Sequence, residues 1–402
     1  MYAIAKEFIV RGHQVLFATE QRHEHATKSV GLSVIVLDVE AADNTQSRFQ
    51  KFYSTILKKY SMSLWMSAQN VRDELNILMD KSSNVDIVIG GQGAYVGPLI
   101  ASVLKKKWVY CSISPLSIPS YYDPPLLPYV HGFQRRFYNF SVAQRFLLRS
   151  AKRLSRIYMS SLTSLRGRAG CRTDLHPLFE GMYSADLNLF LISPSFISPQ
   201  PDWPARTKIT GFTWFEPEFM RGVEKIQKLS EFFDAGLPPI VFALGGPSRT
   251  NPGDFFEESI KAAQLLGKRA IIVTERKIDH LLPNNTDFLV TGYVPYSFLI
   301  SRALAVVHSG GIGAIGWCLK FGIPSLLIPE SLDQFDNAYR AKRNKFVDIL
   351  PRRMYSASNI ARMLERLFVD NAMDLQLAEA KKTVENENGA EIACSTIESI
   401  LI

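Results

Sequence analysis

The residues best placed to do chemistry lie in two neighbouring segments, HSGGIGAIGWCLKFGIP at 308–324 and ESLDQFDNAYR at 330–340. An apolar run ends at His308; a turn with Gly310, Gly311 and Gly313 follows, and a helical pattern that includes Ile312 runs on to GIP. Glycine lets a backbone turn tightly and approach a ligand, and the amides at a helix start have no partner within the helix. Such a turn suits a phosphate, to which the ring N–H of His308 would add a donor. A plain strand-to-helix connection has the same pattern, and glycine alone does not separate the two. Asp333 and Gln334 follow the next apolar run. Two carboxylate oxygens and an amide suit adjacent hydroxyls of a sugar, while an aspartate in that place is equally a helix cap. No DxD-like pair that would hold a metal stands near these segments.

The elements that must position these residues read as helix and strand in alternation, which favours parallel sheets covered by helices on both faces. Residues 2–11 form an apolar-faced helix that Gly12 stops, and QVLFAT at 14–19, LSVIVLD at 32–38, VDIVIGG at 85–91 and WVYCSIS at 108–114 read as strands. The loop SPLSIPSYYDPPLLPYV at 114–130, rich in proline and aromatics, hangs from a strand end, where binding residues usually sit. DAGLPP at 234–239 marks a boundary, and PIVFALGG then opens a second, cleaner α/β unit. The expected division is 1–210, a linker at 211–238, 239–380, and a C-terminal helix at 381–402 that returns to the first domain. Ligands of doubly wound sheets bind beyond the carboxyl ends of the strands, so GGPSRT at 245–250, TGYVP at 291–295 and the glycine turn should share one crevice.

At 402 residues, with 47% hydrophobic and 21% charged residues, the chain suits two globular domains. No run of about 18 uninterrupted apolar residues occurs, and the opening MYAIAKEFIVRGH is unlike a signal peptide; both predict a cytoplasmic protein. Cys111, Cys171, Cys318 and Cys394 lack metal or CxxC spacing and read as reduced thiols. The net charge of +8 is unevenly placed: cations crowd the stretch from Arg135 to Arg172, and no acid lies between Asp123 and Asp174. This stretch reads either as a solvated helical face or as a peripheral contact with an anionic membrane. It carries no recognised nucleic-acid module.

The order H-x-G-G-x-G, then GIPSLLIP, then DQxxNAxR resembles the donor-binding signature of the family 1 glycosyltransferases, among them sterol, macrolide and glycopeptide glucosyltransferases. RGHQVLFAT, SPLSIPSYYDPPLLP and PDWPARTKITGF extend the resemblance over nearly the whole chain. It implies a GT-B fold, two Rossmann-like α/β domains facing a cleft. By it, His308, Gly310, Gly311, Ile312, Gly313 and Ser248 would hold the diphosphate of a nucleotide sugar of the UDP-glucose kind. Asp333 and Gln334 would hold the hexose, and Tyr293 and Val294 would bracket the nucleotide base. Gly246 stands where serine is common. Tyr121, Tyr122 and Asp123 would face an apolar acceptor.

In the family the first strand precedes the first helix and its loop supplies the acceptor base. This chain opens inside that helix, so the resemblance places the strand and the base upstream of Met1. His13 follows Gly12 at the amino end of a strand and reads as structural; His131, Asp123 and His23 are the fallback bases. The expected reaction is an inverting, metal-independent hexosyl transfer to an apolar small-molecule or lipid hydroxyl, with the nucleotide sugar as co-substrate and no cofactor. A shortened, non-catalytic partner of an active transferase is the alternative, and a nucleotide-sugar epimerase of similar fold a second.

Overall fold

The computed structural model describes residues 1–37, 68–126, 141–216, 223–245, 252–331 and 333–401. Apolar strands alternate with helices that are apolar on one face, so the strands pair in parallel and the helices cover them. In the N-terminal half the strands are β1 (Leu16–Glu20), β2 (Ser33–Leu37), β3 (Ile87–Gly91), β4 (Lys107–Ser112), β5 (Leu187–Phe190) and β6 (Thr207–Ile209). The helices there are α1 (Tyr2–Val10), α2 (Glu24–Ser29), α3 (Ala68–Lys81), α4 (Gly97–Leu104), α5 (Ser141–Tyr158) and α6 (Ser160–Arg168).

These strands form two ladders. β1 pairs with β2, Leu16 opposite Ser33, and β3, β4, β5 and β6 form a separate sheet in that order. Among the described residues no ladder joins β1 to β3.

The C-terminal half contains β7 (Ile240–Ala243), β8 (Ala270–Val273), β9 (Phe288–Thr291), β10 (Ala305–His308), β11 (Ser325–Leu327) and β12 (Val347–Ile349). Its helices are α7 (Val223–Asp234), α8 (Phe255–Leu265), α9 (Tyr296–Ile300), α10 (Ile312–Phe321), α11 (Gln334–Arg343), α12 (Ala357–Phe368), α13 (Asn371–Val384) and α14 (Gly389–Leu401). The six strands lie in the order β12-β11-β10-β7-β8-β9, all parallel. Every residue of β7, β10 and β11 is buried, as strands covered on both faces must be. The chain runs outward from β7 to β9 and then returns to the other side of β7 as β10. That reversal is the topological switch point, and it opens a crevice beyond Ala243 and His308. Gly322, at φ +69°, caps α10 in the left-handed region, and Pro324 prevents the helix from continuing.

The last helix crosses back. Ala393, Cys394 and Ile397 of α14 share a buried cluster with Ile4 and Phe8 of α1 and Leu187 and Leu189 of β5. Glu387, just before α14, accepts the Phe212 amide at 3.0 Å. The four cysteines are unpaired. Among the described residues no helix is long and apolar enough to cross a membrane.

Candidate functional site

His308 is the last residue of β10 and is 2% exposed. Its Nδ1 accepts a hydrogen bond from the Gly310 amide at 3.2 Å. A ring nitrogen that accepts carries no proton, so the neutral ring bears its proton on Nε2. Among the described residues that Nε2 is buried without a hydrogen-bond partner, and burial pushes the imidazole down to about 3, so the ring is neutral near pH 7. The side chain is a fixed, neutral N–H donor. Its pairing holds the glycine turn in place.

Gly310, at φ +87°, makes that turn, and a Cβ there would sit 3.4 Å from the Gln334 carbonyl. Gly311 is the N-cap of α10 and offers no side chain to the first-turn amides of Ile312 and Gly313. Among the described residues a Cβ on Gly311 or Gly313 would meet nothing within 4 Å, so they leave the helix start uncovered. The second strand of the switch point joins the same turn: the Gly245 amide donates to Ser309 Oγ at 3.3 Å. Ser248, with Gly246, lies outside the described residues.

The second segment docks against the turn through a residue that sequence reasoning passed over. Asn337 is fully buried, and its Nδ2 donates both to the Gly310 carbonyl at 3.2 Å and to Asp333 Oδ2 at 2.9 Å. It therefore ties the phosphate-like turn to the carboxylate expected to hold a sugar. The motif DQxxNAxR contained the signal, since Asp333 and Asn337 are one helical turn apart. Asp333 is the N-cap of α11, yet its side chain makes no capping bond; burial raises its pKa, against the Asn337 hydrogen bond. Gln334 turns its Oε1 to the amides of Glu330 and Ser331 at 3.0 and 3.1 Å. Its oxygen thus holds the loop.

At the end of β9 the Tyr293 amide donates to Glu275 Oε1 at 2.9 Å, and the Tyr293 ring lies 6.1 Å from Tyr296. The Val294 side chain belongs to a core cluster with Leu229 and Phe233, so a base approaching this turn would meet its backbone.

On the acceptor side the outcome differs from expectation at Asp123. Its carboxylate is held by Arg340 and, at 2.8 Å, by Arg343. Burial would raise this carboxyl, but Arg340 and then Arg343 outweigh it and hold the group below the usual carboxylate range. A carboxylate so paired is a poor proton acceptor, which removes Asp123 as a base. Arg149 and Lys152 lie over the Tyr121 ring and Arg145 over that of Tyr122, which is well exposed. His13 binds Glu398 at 2.8 Å. His23 ends a short helical turn just beyond β1, and its carbonyl accepts from Thr27 Oγ1 at 2.8 Å. His131 lies outside the described residues.

Residues 266–401 match the family model described as Erythromycin biosynthesis protein CIII-like, C-terminal domain. The chain is 28% identical over 214 residues to O-mycaminosyltylonolide 6-deoxyallosyltransferase of Streptomyces fradiae, covering 52% of this chain and 49% of that one. It is 25% identical over 427 residues to the Sterol 3-beta-glucosyltransferase of Saccharomyces cerevisiae (strain YJM789), covering 98% of this chain and 33% of that one. The chain thus spans about half, or less, of the length of these curated relatives. Among solved structures, CalG4, the Calicheamicin Glycosyltransferase, matches with a TM-score of 0.73 at 16% identity, over 99% of this chain and 94% of that one. The glycosyltransferase VinC in complex with DTDP matches with a TM-score of 0.63 at 16% identity, over 99% and 94%. The two α/β halves and the crevice at the switch point define a GT-B protein. The chain is similar to family 1 glycosyltransferases, by the family model over its C-terminal third and by these relatives over half of its length or more.

Proposed function

We propose that this protein binds a nucleotide diphosphate sugar at the β7–β10 switch point and transfers its hexose, with inversion and without a metal, to a hydroxyl of an apolar acceptor. The observation that carries the reading is the pairing of the buried, neutral His308 Nε2–H with the open start of α10. As the bond from C1 to the diphosphate breaks, negative charge collects on the departing phosphate. A fixed N–H and the uncapped amides of a helix start stabilise such charge without reorganising. Asn337 supports the sugar assignment, because it orients Asp333 toward the same turn's neighbourhood by a direct hydrogen bond. The acceptor oxygen attacks C1 from the opposite face and loses its proton to a base that the described residues leave unassigned.

Calorimetric titration of the full chain with UDP-glucose and with a TDP-hexose, followed by mass spectrometry for hydrolysis or transfer, tests this. His308→Ala and Asp333→Ala should each weaken donor binding at least tenfold; unchanged affinity in both would sink the reading. Donor binding without turnover would favour the non-catalytic partner, and donor turnover without acceptor the epimerase.

The same proposal includes a peripheral contact with an anionic membrane, which would bring an apolar acceptor to the cleft. Its support is helix α5. Val142, Phe146, Leu154 and Ile157 are 61–78% exposed on it, the helix contains no acid, and Arg149, Arg153 and Arg156 are exposed beside them. An apolar ridge flanked by arginines suits the headgroup region of a bilayer.

A further inference from the structure

We propose that Arg340 is a positioning residue: through Asp123 it couples the donor-sugar helix to the loop of Tyr121 and Tyr122, so that filling the donor crevice orders the acceptor side. This inference rests on the donor and acceptor assignments above.

The loop that follows β4 is gripped from both halves of the molecule. On its own side Asp202 accepts from Ser120 Oγ and from the Tyr121 amide, both at 2.6 Å. On the far side three residues of α11 take hold of it. Asp336 Oδ1 accepts the Leu126 amide at 2.8 Å. Arg340 binds the Asp123 carboxylate through Nη1 and the Asp123 carbonyl, at 3.1 Å, through Nη2. Arg343 adds Nη1 to the carboxylate at 2.8 Å. Residues 336, 340 and 343 share one stripe of the helix, as their spacing requires. Tyr121 and Tyr122 lie between the two anchors.

The network is built for geometry rather than for adhesion. Arg340 also donates from Nε to Asp336 Oδ2 at 2.8 Å, and both side chains are almost wholly buried. Buried ion pairs lose about as much in desolvation as they gain in attraction, so an apolar contact would join the halves at least as well. What a planar guanidinium shared between Asp336 and Asp123 adds is a defined register between helix and loop. The same helix also meets the donor crevice. Asn337, next in sequence to Asp336, holds Asp333 and the Gly310 carbonyl. A donor that settles α11 against the glycine turn therefore settles the residues that grip the loop. Coupling of this kind is reciprocal, so a loop held by an acceptor should tighten donor binding by the same factor.

Hydrogen exchange of the full chain, measured free and saturated with UDP and separately with TDP, separates coupling from a passive strut. Nucleotide binding should slow exchange in 308–313 and also, roughly fivefold or more, in 120–126. In Asp123→Asn, which leaves Arg340 its buried partner Asp336, the slowing at 308–313 should persist while that at 120–126 is lost. Arg343→Gln removes the exposed guanidinium and leaves no buried charge unpaired; it should give a partial loss even if Asp123→Asn folds poorly. Equal slowing at 120–126 in wild type and in a folded variant would show a strut only and overturn the coupling. Nucleotide binding to the wild type with no response at 120–126 also overturns it, leaving the donor reading intact. If neither nucleotide binds, the donor reading fails and the coupling with it.

Discussion

The amide of Gly310 donates to Nδ1 of His308, and this one bond decides which nitrogen of a buried histidine carries the proton. Replacing the ring by alanine removes the donor and frees the turn. Where donor hydrolysis or transfer is measurable, His308→Ala should lose about 10²–10³ in rate, the usual loss for one fixed donor to a developing anion. His308→Gln, whose amide can offer an N–H from a comparable reach, should recover part of it.

The same burial makes a pH prediction. His308 titrates near 3 in the folded protein and near 6.5 unfolded. Between those values the unfolded chain binds the extra proton, so folding stability rises with pH through that window and is fully present above about 6.5. Urea unfolding at pH 7 and pH 4.5 should therefore show an acid loss on the order of a few kcal/mol that His308→Gln lacks. Equal losses in both proteins would rule the histidine out as the cause.

Asn337 makes two side-chain hydrogen bonds in a fully buried place. Asn337→Ala leaves the Gly310 carbonyl without its partner and should cost about 1–3 kcal/mol of stability, read from denaturant midpoints. Donor affinity should fall with it. Asn337→Asp sets a second carboxylate against Asp333 and should weaken donor binding further.

Two glycines of the turn should respond in opposite ways. Gly310→Ala places a side chain at φ +87° and should destabilise the fold by about 1–2 kcal/mol. Among the described residues Gly313→Ala meets nothing within 4 Å, and it should leave the melting temperature unchanged or slightly raised. Its methyl group would instead stand where the diphosphate approaches, so titration calorimetry should show weaker donor binding despite an intact fold.

For the membrane face, vesicle sedimentation gives a direct reading. The protein should bind vesicles of phosphatidylcholine with phosphatidylglycerol and release them at high salt. Phe146→Ser with Ile157→Ser should abolish binding by removing the ridge, and Arg153→Glu should weaken it on anionic vesicles alone. Binding that survives all three changes would place any membrane contact elsewhere.

Much of this protein was legible in the order of its residues because the relevant physics is local. Alternating apolar strands and helices announced parallel sheets, Gly322 before Ile323 and Pro324 announced a helix end, and the strand ending at His308 announced a crevice. Each depends on neighbours within a few residues. What the sequence could not carry was pairing across the fold. Asp123 looked like an acceptor or a base, and only the arrival of Arg340, 217 residues away, makes it an anchored anion. Val294 looked like part of a binding loop until Leu229 and Phe233 closed over it. The tautomer of His308 lies between these cases: the glycine two residues on was visible, but the burial that keeps the ring neutral is a property of packed sheets. Local pattern determined the elements and the chemistry on offer, while long-range electrostatics and burial, which exist only once distant segments pack together, decided which groups remain free to use it.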